Sequence, residues 1–412
     1  MKVARARSLV LRNVRIVLPE RTAESASVLI EDGRIARIFD SSSDESVKAD
    51  SLMELDGLTL FPGFIDIHIH GAAGLDTMDG STADLLKLAL FLSHNGVTAW
   101  LPTLVPAPDE EYQRAIHAIG ESIASQRQFA PPDADKMPAL PAVGARVLGV
   151  HYEGPFVNNE QCGALHREYF RTFKQVSDVD SLPTLNQSAA VHLITLAPEI
   201  EGGIALISEL TRRNWIVSIG HTRATADVLD QALAAGARHM THFMNAMAPL
   251  HHRAPGPIGW GLARDDVTCD LIADGVHLDP FMLRLLLRVK TPDRLSLISD
   301  AIAATGLGDG DYEIWGETIS VTNGRTRNAR GNIAGSVITM LDAARMMSSL
   351  GVSEVDVARM ASTNSARLLR IDQDYGSIEE GKRADLVALD SKGYVRLTIV
   401  GGQVAYDART AS

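Results

Sequence analysis

The central part of the chain alternates between short apolar runs and segments with helical periodicity. Between about residues 61 and 370 there are eight apolar runs: LFPGFIDIHI, GVTAWLPT, ARVLGVHYEG, AVHLITLAP, WIVSIGHT, RHMTHFM, TCDLIADG and RLSLISDA. Helical segments such as ADLLKLALFLSHN and PFMLRLLLRV lie between most of them. Nearly continuous apolar strands separated by helices indicate an α/β fold with a parallel sheet covered on both faces. Eight such units are the number that closes a (β/α)8 TIM-like barrel.

A doubly wound open sheet is the alternative arrangement of such units. Its usual signature is a GxGxxG motif that directly follows a strand. None of the eight runs is followed by that motif. The pattern therefore favours the barrel.

Both ends of the chain show the two-residue alternation that is typical of strands. Residues 1–60 contain RSLVLRNVRIVL and SVLIEDGRIARI, and residues 371–412 contain KRADLVALDSKGYVRLTIVGGQVAY. We therefore expect β-rich ends at 1–60 and 371–412 around a barrel at 61–370. A polar, turn-rich stretch at about 309–331 predicts a β insertion after the eighth strand.

The composition and net charge of the chain limit the class of protein and the kinds of partner that are expected. The 412 residues are 45% hydrophobic, which is enough for a large core and more than one domain. The 39 basic and 51 acidic residues leave a net charge of −12, so we expect neither a nucleic-acid nor a membrane partner. Two cysteines, no signal-peptide pattern and no apolar stretch of bilayer length together predict a cytoplasmic protein.

Six ionisable residues fall at the ends of the predicted strands. Barrel enzymes build their active sites at the carboxyl ends of the strands, so these side chains are expected to converge. A single histidine at a strand end is usually structural, but burying six ionisable groups without a metal or mutual pairing would be costly. The six residues are His68, His70, Glu153, His221, His242 and Asp300.

The spacing of His68 and His70 adds a geometric argument. Residues two apart in a strand point to the same side, so both imidazoles can face the barrel axis and bind one ion. Imidazole and carboxylate ligands suit zinc, iron, manganese or cobalt. Asp300 is a natural general base for a metal-activated water. Four other histidines lack such an arrangement and are predicted to be structural or surface residues: His94, His117, His192 and His239.

Several motifs around these residues resemble those of a known family. PGFIDIHIHG resembles the HxH strand of the amidohydrolase superfamily. HYEGPF, GHT, THFMNAM, ADGVH and SDA resemble, in order, the landmarks of the N-acetylglucosamine-6-phosphate deacetylase family within it. The resemblance covers nearly the whole chain and implies a metal-bearing barrel with a small β-sandwich domain built from both chain ends.

The resemblance also implies roles for the six residues. Glu153, His221 and His242 would bind the main divalent metal ion, with zinc expected and iron, manganese or cobalt as alternatives. Asp300 would take a proton from the attacking water and pass it to the leaving amine. Because His68 and His70 are both present, one or two ions per subunit are expected.

Substrate contacts are implied in the same way. The expected substrate is an amino-sugar phosphate, and the expected reaction is removal of its N-acetyl group. The epimer N-acetylgalactosamine 6-phosphate and other N-acyl substrates remain alternatives, while a non-enzymatic scaffold would require the loss of ligands that are present. Because some phosphate contacts can cross a subunit interface in this family, a homodimer is expected. The substrate-binding candidates are Ala164, Leu165, Asn245, Ala246, Arg253, Asp274, Gly275, Val276, His277, Ile333, Ala334 and Gly335.

One loop departs from the family pattern. After EGPF the family often has a histidine that helps to polarise the carbonyl group, whereas this chain reads CGALHRE. Leu165 takes the place of that histidine, and His166 follows one residue later. Either the loop shifts so that His166 serves, or a second metal ion replaces the histidine. Cys162 in the same loop is expected to be incidental.

Overall fold

The structure, a computed structural model, describes residues 8–40, 47–128 and 143–409. The chain begins with strands that pair mainly with one another before the barrel starts. The second strand pairs antiparallel with both the first and the third, and the fourth and fifth lie parallel to the first. These strands are β1 (Ser8–Val17), β2 (Thr22–Glu31), β3 (Arg34–Asp40), β4 (Ser51–Glu54) and β5 (Thr59–Pro62).

Eight parallel strands then form the barrel. Each of them coincides, to within one residue, with part of one of the eight apolar runs, and neighbours in the chain are neighbours in the sheet. The barrel strands are β6 (Phe64–Ile69), β9 (Val97–Leu104), β11 (Gly149–Glu153), β12 (Val191–Leu196), β13 (Ile216–Ile219), β14 (His239–Met240), β15 (Thr268–Ile272) and β16 (Leu295–Ile298). A hairpin of β7 (Gly71–Ala72) and β8 (Leu75–Asp76) follows β6, and the short β10 (Arg146–Val147) pairs with β9.

Helices cover the outside of the barrel, and two of them, the first and the seventh, coincide with the helical segments quoted from the sequence. The helices are α1 (Thr82–His94), α2 (Asp109–Gln128), α3 (Ser177–Asp180), α4 (Gly203–Arg212), α5 (Ala226–Ala235), α6 (Gly256–Ala263), α7 (Pro280–Val289), α8 (Met340–Ser349), α9 (Glu354–Ala358) and α10 (Asn364–Leu368). The connection from β11 to β12 differs from the others, because its single α-helix, α3, has only four residues. In the described part of the chain, no helix is both long and apolar enough to cross a bilayer.

The barrel closes at its carboxyl rim through the residues after β16. The backbone N–H of Asp300 donates to the carbonyl of His68 at 2.9 Å, and the N–H of His70 donates to the carbonyl of Ala301 at 2.8 Å. The last strand is thereby joined to the first strand at the point where two predicted metal ligands lie. Rim closure and site geometry depend on the same hydrogen bonds.

Two further sheets complete the molecule. The segment predicted as an insertion forms a three-stranded antiparallel sheet of β17 (Gly310–Ile314), β18 (Glu317–Thr322) and β19 (Arg325–Asn328). The C-terminal strands β20 (Leu386–Leu389), β21 (Val395–Val400) and β22 (Gln403–Asp407) join the N-terminal strands in the order β22-β21-β20-β5-β1-β2-β3.

The terminal sheet curls around a core of its own. A bridge between Arg34 and Arg383 returns the edge strand β3 to the segment before β20, and the enclosed side chains include Leu11, Ile30 and Leu397. The expected fold, a barrel with a second β unit built from both chain ends, is confirmed. Both cysteines, Cys162 and Cys269, are buried and unpaired.

Candidate metal centre

The six residues predicted from the strand ends lie together at the carboxyl rim of the barrel. Each of their side chains belongs to a residue that is at most 7% exposed. Two of them lie in β6 and β11, and the other four lie one or two residues after the ends of β6, β13, β14 and β16. Two triads are close enough to hold a metal ion, and both contain Glu153: one with His221 and His242, the other with His68 and His70.

The first triad is the tighter of the two. Oε1 of Glu153 lies 2.8 Å from Nε2 of His221 and 3.0 Å from Nε2 of His242. The two Nε2 atoms are 3.1 Å apart. If both rings carry their proton on Nδ1, the two Nε2 lone pairs and the carboxylate face one another, and a cation between them resolves that repulsion.

The second triad uses the other side of Glu153. Its Oε2 atom lies 3.4 Å from Nε2 of His70, and the Nε2 atoms of His68 and His70 are 3.2 Å apart. Oδ1 of Asp300 is 3.4 Å from Nε2 of His68 and 3.2 Å from Nε2 of His70. The structure thus places Asp300 beside the second triad, within reach of anything bound there.

The backbone turns sharply where three of these side chains leave their strands. His221, His242 and Asp300 have positive φ angles of 48°, 31° and 50°. Residues other than glycine rarely adopt this conformation. It persists only where the surrounding structure enforces it, and residues of this kind are concentrated at functional sites. The turn directs each side chain towards the barrel axis immediately after the sheet ends.

Residues that sequence reasoning missed orient the first triad. Nδ1 of His221 is 2.7 Å from the carbonyl of Gln161, which leaves Nε2 of the same ring for a metal. The carboxylate of Asp270 accepts a hydrogen bond from the backbone N–H of His242 and lies 3.0 Å from Nε2 of His239. The sequence does contain a signal for this residue, because Asp270 is an acidic residue in the middle of an otherwise apolar strand.

His239 was predicted to be structural, and its pairing with the buried Asp270 fits that role. The ring of another buried histidine, His151, lies beside the ring of His68, with ring centroids 4.6 Å apart. Its nitrogens pair with the carbonyl of Ile67 at 2.9 Å and with Oγ1 of Thr195 at 2.8 Å. Burial lowers the pKa of His151 to about 3, so this imidazole is neutral. It packs against His68 without adding a charge to the centre.

The carboxylate of Glu153 is the negatively charged group of the centre. Burial alone would raise the pKa of Glu153, but hydrogen bonds from His221 and His242 hold it well below its usual range. Burial lowers the pKa of His68 well below its usual value. Burial acts in the same direction on His242, but the hydrogen bond to Glu153 and the nearby carboxylate charges together outweigh it and raise the pKa of that imidazole to about 9. An ionised carboxylate among buried imidazole nitrogens is a donor set that fits a divalent transition-metal ion.

Two segments without regular secondary structure lie beside the six residues at the carboxyl rim of the barrel, and both contain predicted substrate-binding residues. Gly163 packs against the ring of His221, and the carbonyls of Gly163 and Ala164 accept hydrogen bonds from Asn332 and Arg330 at 2.8 and 2.7 Å. Gly335 passes so close to Asp300 that a Cβ atom there would lie 2.9 Å from its carbonyl oxygen. Ala334 is buried next to it, and Ile333 is 42% exposed.

Six of the other predicted substrate residues lie in two turns at the same rim. The carbonyl of Ala246 accepts from the N–H of Thr222, which places Asn245 and Ala246 beside the His221 turn. Asp274 organises the turn after β15, because its carboxylate accepts from the N–H groups of Val276 and His277, both at 2.8 Å, around Gly275. Nδ1 of His277 is 2.7 Å from the same carboxylate.

Three residues lie apart from this cluster. Arg253 is exposed on a turn bridged by His251 and Ala254, and its guanidinium is 2.9 Å from Nε2 of His252. Leu165 is only 3% exposed and packs in the main core. His166 faces Glu168 on its own loop, with Nδ1 and Oε1 3.3 Å apart.

Comparison with known proteins gives the family. The profile of the Amidohydrolase family matches residues 59–405, which is most of the chain. The chain belongs to the amidohydrolase family. This family is metal-dependent, in agreement with the donor set, and the family resemblance inferred from the motifs is confirmed.

Individual relatives align with nearly the whole chain. The chain is 36% identical to an N-acetylglucosamine-6-phosphate deacetylase of Bacillus subtilis, with 98% of this chain and 99% of that protein aligned. It is 37% identical to an N-acetylgalactosamine-6-phosphate deacetylase of Escherichia coli O157:H7, with 96% and 99% aligned. A crystal structure of the N-acetylglucosamine-6-phosphate deacetylase of Thermotoga maritima superposes with a TM-score of 0.83 at 32% identity, covering 97% of this chain and 100% of that one.

A solved mutant of the Mycobacterium smegmatis N-acetyl-D-glucosamine-6-phosphate deacetylase is also similar. It superposes with a TM-score of 0.84 at 27% identity, covering 98% of this chain and 100% of that one. That protein was solved in complex with N-acetyl-D-glucosamine-6-phosphate.

The shared carboxylate generates a prediction about metal content. Replacing Glu153→Gln removes a ligand from both triads, so we expect weaker binding at both sites by more than about tenfold. Replacing His68→Asn removes a ligand from the second triad alone and should weaken one site only. Titration of the purified variants with a competing chromophoric chelator measures both affinities. Identical metal binding by the two variants would contradict the shared role of Glu153.

Proposed function

We propose that this protein hydrolyses the N-acetyl group of N-acetylglucosamine 6-phosphate, producing glucosamine 6-phosphate and acetate. The observation that carries the proposal is the pair of buried triads joined by Glu153, with Asp300 beside them. This arrangement occurs in a chain that aligns over nearly its full length with deacetylases of this class. A water, a polarised carbonyl and a proton carrier are what amide hydrolysis requires.

Asp300 would carry the proton. Its carboxylate is the acceptor for a proton of the attacking water, and the same group then donates that proton to the amine nitrogen as the C–N bond breaks. A bound divalent ion supplies Lewis acidity towards the carbonyl and makes the water more acidic. His221, His242 and Glu153 would hold the main ion, and His68, His70 and Glu153 the second.

The loop after EGPF supports the use of two ions. Leu165, which replaces the family's usual histidine, is buried in the core and offers no polar group. His166 is paired with Glu168 on the loop. We therefore propose that His68, His70 and Glu153 hold a second ion, which would supply the carbonyl polarisation otherwise provided by the family's histidine, with zinc as the metal and iron, manganese or cobalt as alternatives.

The C4 epimer of the sugar is a second candidate substrate, because a relative at 37% identity is named for N-acetylgalactosamine 6-phosphate. The deciding experiment measures acetate release from both epimers, with metal content determined on the same sample. We expect release from N-acetylglucosamine 6-phosphate with higher kcat/KM than from the epimer. A reversed preference would transfer the assignment to the epimer, and no release from either would overturn the proposed reaction.

The role of Asp300 has a specific consequence. Asp300→Asn keeps the size of the side chain but removes the proton acceptor, so kcat should fall by roughly 10²–10⁴-fold. The variant should retain the main ion, because the first triad is intact, whereas Glu153→Gln should lose both activity and metal. Steady-state kinetics with metal analysis checks this. Near-normal turnover of Asp300→Asn would exclude it as the proton carrier.

Phosphate recognition is proposed for Arg253. The guanidinium is exposed in the single chain, which fits contact with a phosphate across an interface between two copies. We accordingly propose a homodimer located in the cytoplasm. His277, Asn245 and Ala246 would bind the sugar-phosphate region at the rim, and Ile333, Ala334 and Gly335 would close over the sugar.

Arg253→Ala tests this assignment. Loss of one charge-assisted contact should raise KM for phosphorylated substrate by about 10–100-fold and leave kcat nearly unchanged. Turnover of the unphosphorylated sugar should change little. Arg264→Ala, another surface arginine paired with Asp266, is the matched control. Equal losses on phosphorylated and unphosphorylated sugars would show that Arg253 does not recognise the phosphate.

A further inference from the structure

Three buried polar atoms around His70 have no hydrogen-bond partner within the described ranges. They are Nδ1 of His70, Oδ2 of Asp76 and Nε1 of Trp315. Buried polar groups are nearly always paired, so three unpaired atoms in one neighbourhood require an explanation. One of the three is an acceptor, and the other two can donate.

The chain path holds Asp76 next to His70. After β6 the chain folds back in the β7–β8 hairpin, in which Asp76 pairs with Gly71, the residue that follows His70. The N–H of Thr77 donates to the carbonyl of His70 at 2.8 Å. Oδ1 of Asp76 accepts from the N–H of Met78 at 2.8 Å, which fixes the carboxylate and leaves Oδ2 for another donor.

Trp315 approaches His70 from a different part of the molecule. It lies at the turn between β17 and β18 with a φ of 54°, and the edge of its ring meets the ring of His70 with centroids 5.1 Å apart. Asp76 and Trp315 therefore both adjoin His70, Asp76 through the hairpin and Trp315 through its ring.

The chemistry of the imidazole decides how they pair. Nε2 of His70 faces Glu153 and Asp300. A neutral imidazole that binds a metal through Nε2 carries its proton on Nδ1, so Nδ1 becomes a donor. Nδ1 of His70 and Nε1 of Trp315 then supply two N–H groups, and the free oxygen of Asp76 is the acceptor that both lack.

We propose that Asp76 is a positioning residue for the second metal site, accepting hydrogen bonds from His70 and Trp315 directly or through one water. This inference rests on the second ion of the proposed function. It also gives the insertion a role, since Trp315 and Asn332 attach it to His70 and to the loop at Gly163 respectively.

The experiment measures metal affinity rather than rate. Asp76→Asn preserves the size of the side chain and its bond to Met78, but presents an amide to the two donors. Trp315→Phe keeps an aromatic ring against His70 and removes only the N–H. Competition with a chromophoric chelator should resolve two affinities in the natural protein. We expect a loss of roughly 10–100-fold for the second ion in Asp76→Asn, and a smaller loss in Trp315→Phe.

Two control variants match these changes. Asp79→Asn removes an exposed carboxylate from the same loop, one that pairs with Arg114. Trp260→Phe removes an indole hydrogen bond to a carboxylate, that of Asp230, away from the metal centre. Both controls should bind two ions as the natural protein does.

The outcomes separate this inference from the proposed reaction. Unchanged second-ion affinity in a folded Asp76→Asn variant overturns the positioning role, and so does equal weakening of both ions. If Asp76→Asn fails to fold, unchanged affinity in Trp315→Phe overturns the positioning role instead. A natural protein that releases acetate with only one ion overturns this inference but leaves deacetylation in place. Selective loss of the second ion without any deacetylation would support the inference and overturn the proposed substrate.

Discussion

The carboxylate of Glu153 is the group on which the rest of the centre depends. It is buried at the end of β11, and a buried carboxylate stays ionised only if nearby donors compensate for lost hydration. His221 and His242 face one of its oxygens, and His70 faces the other. Four barrel strands or their ends must therefore keep their relative positions for both triads to exist.

The backbone at the rim meets this requirement with local conformations that a regular strand does not provide. Positive φ angles at His221, His242 and Asp300 turn the chain inward just beyond the sheet. The same residues take part in the hydrogen bonding of the rim, as when Asp300 donates to the carbonyl of His68. The proposed metal ligands, the proposed proton carrier and the barrel closure are consequently one structural unit.

Segments without regular secondary structure, rather than strands, surround the six residues at the carboxyl rim of the barrel. The long β11–β12 connection orients His221 through Gln161, and residues after the inserted sheet hold that connection at Gly163 and Ala164. Rigid strands can thus keep the hydrolytic groups fixed while the surrounding loops determine which substrate enters. The burial of Leu165 is an example of variation in these loops that leaves the triads intact.

The sequence by itself determined the eight barrel strands, the β-rich ends and the six ionisable residues at the strand ends. These are local properties: apolar periodicity marks a strand, and a polar residue that closes an apolar run marks its rim. Only the tertiary structure decided that Glu153 belongs to both triads, that Asp270 and Gln161 orient their histidines, and that Arg253 is exposed. The physical reason is that these features depend on contacts between segments far apart in the chain, whose distances no local pattern encodes.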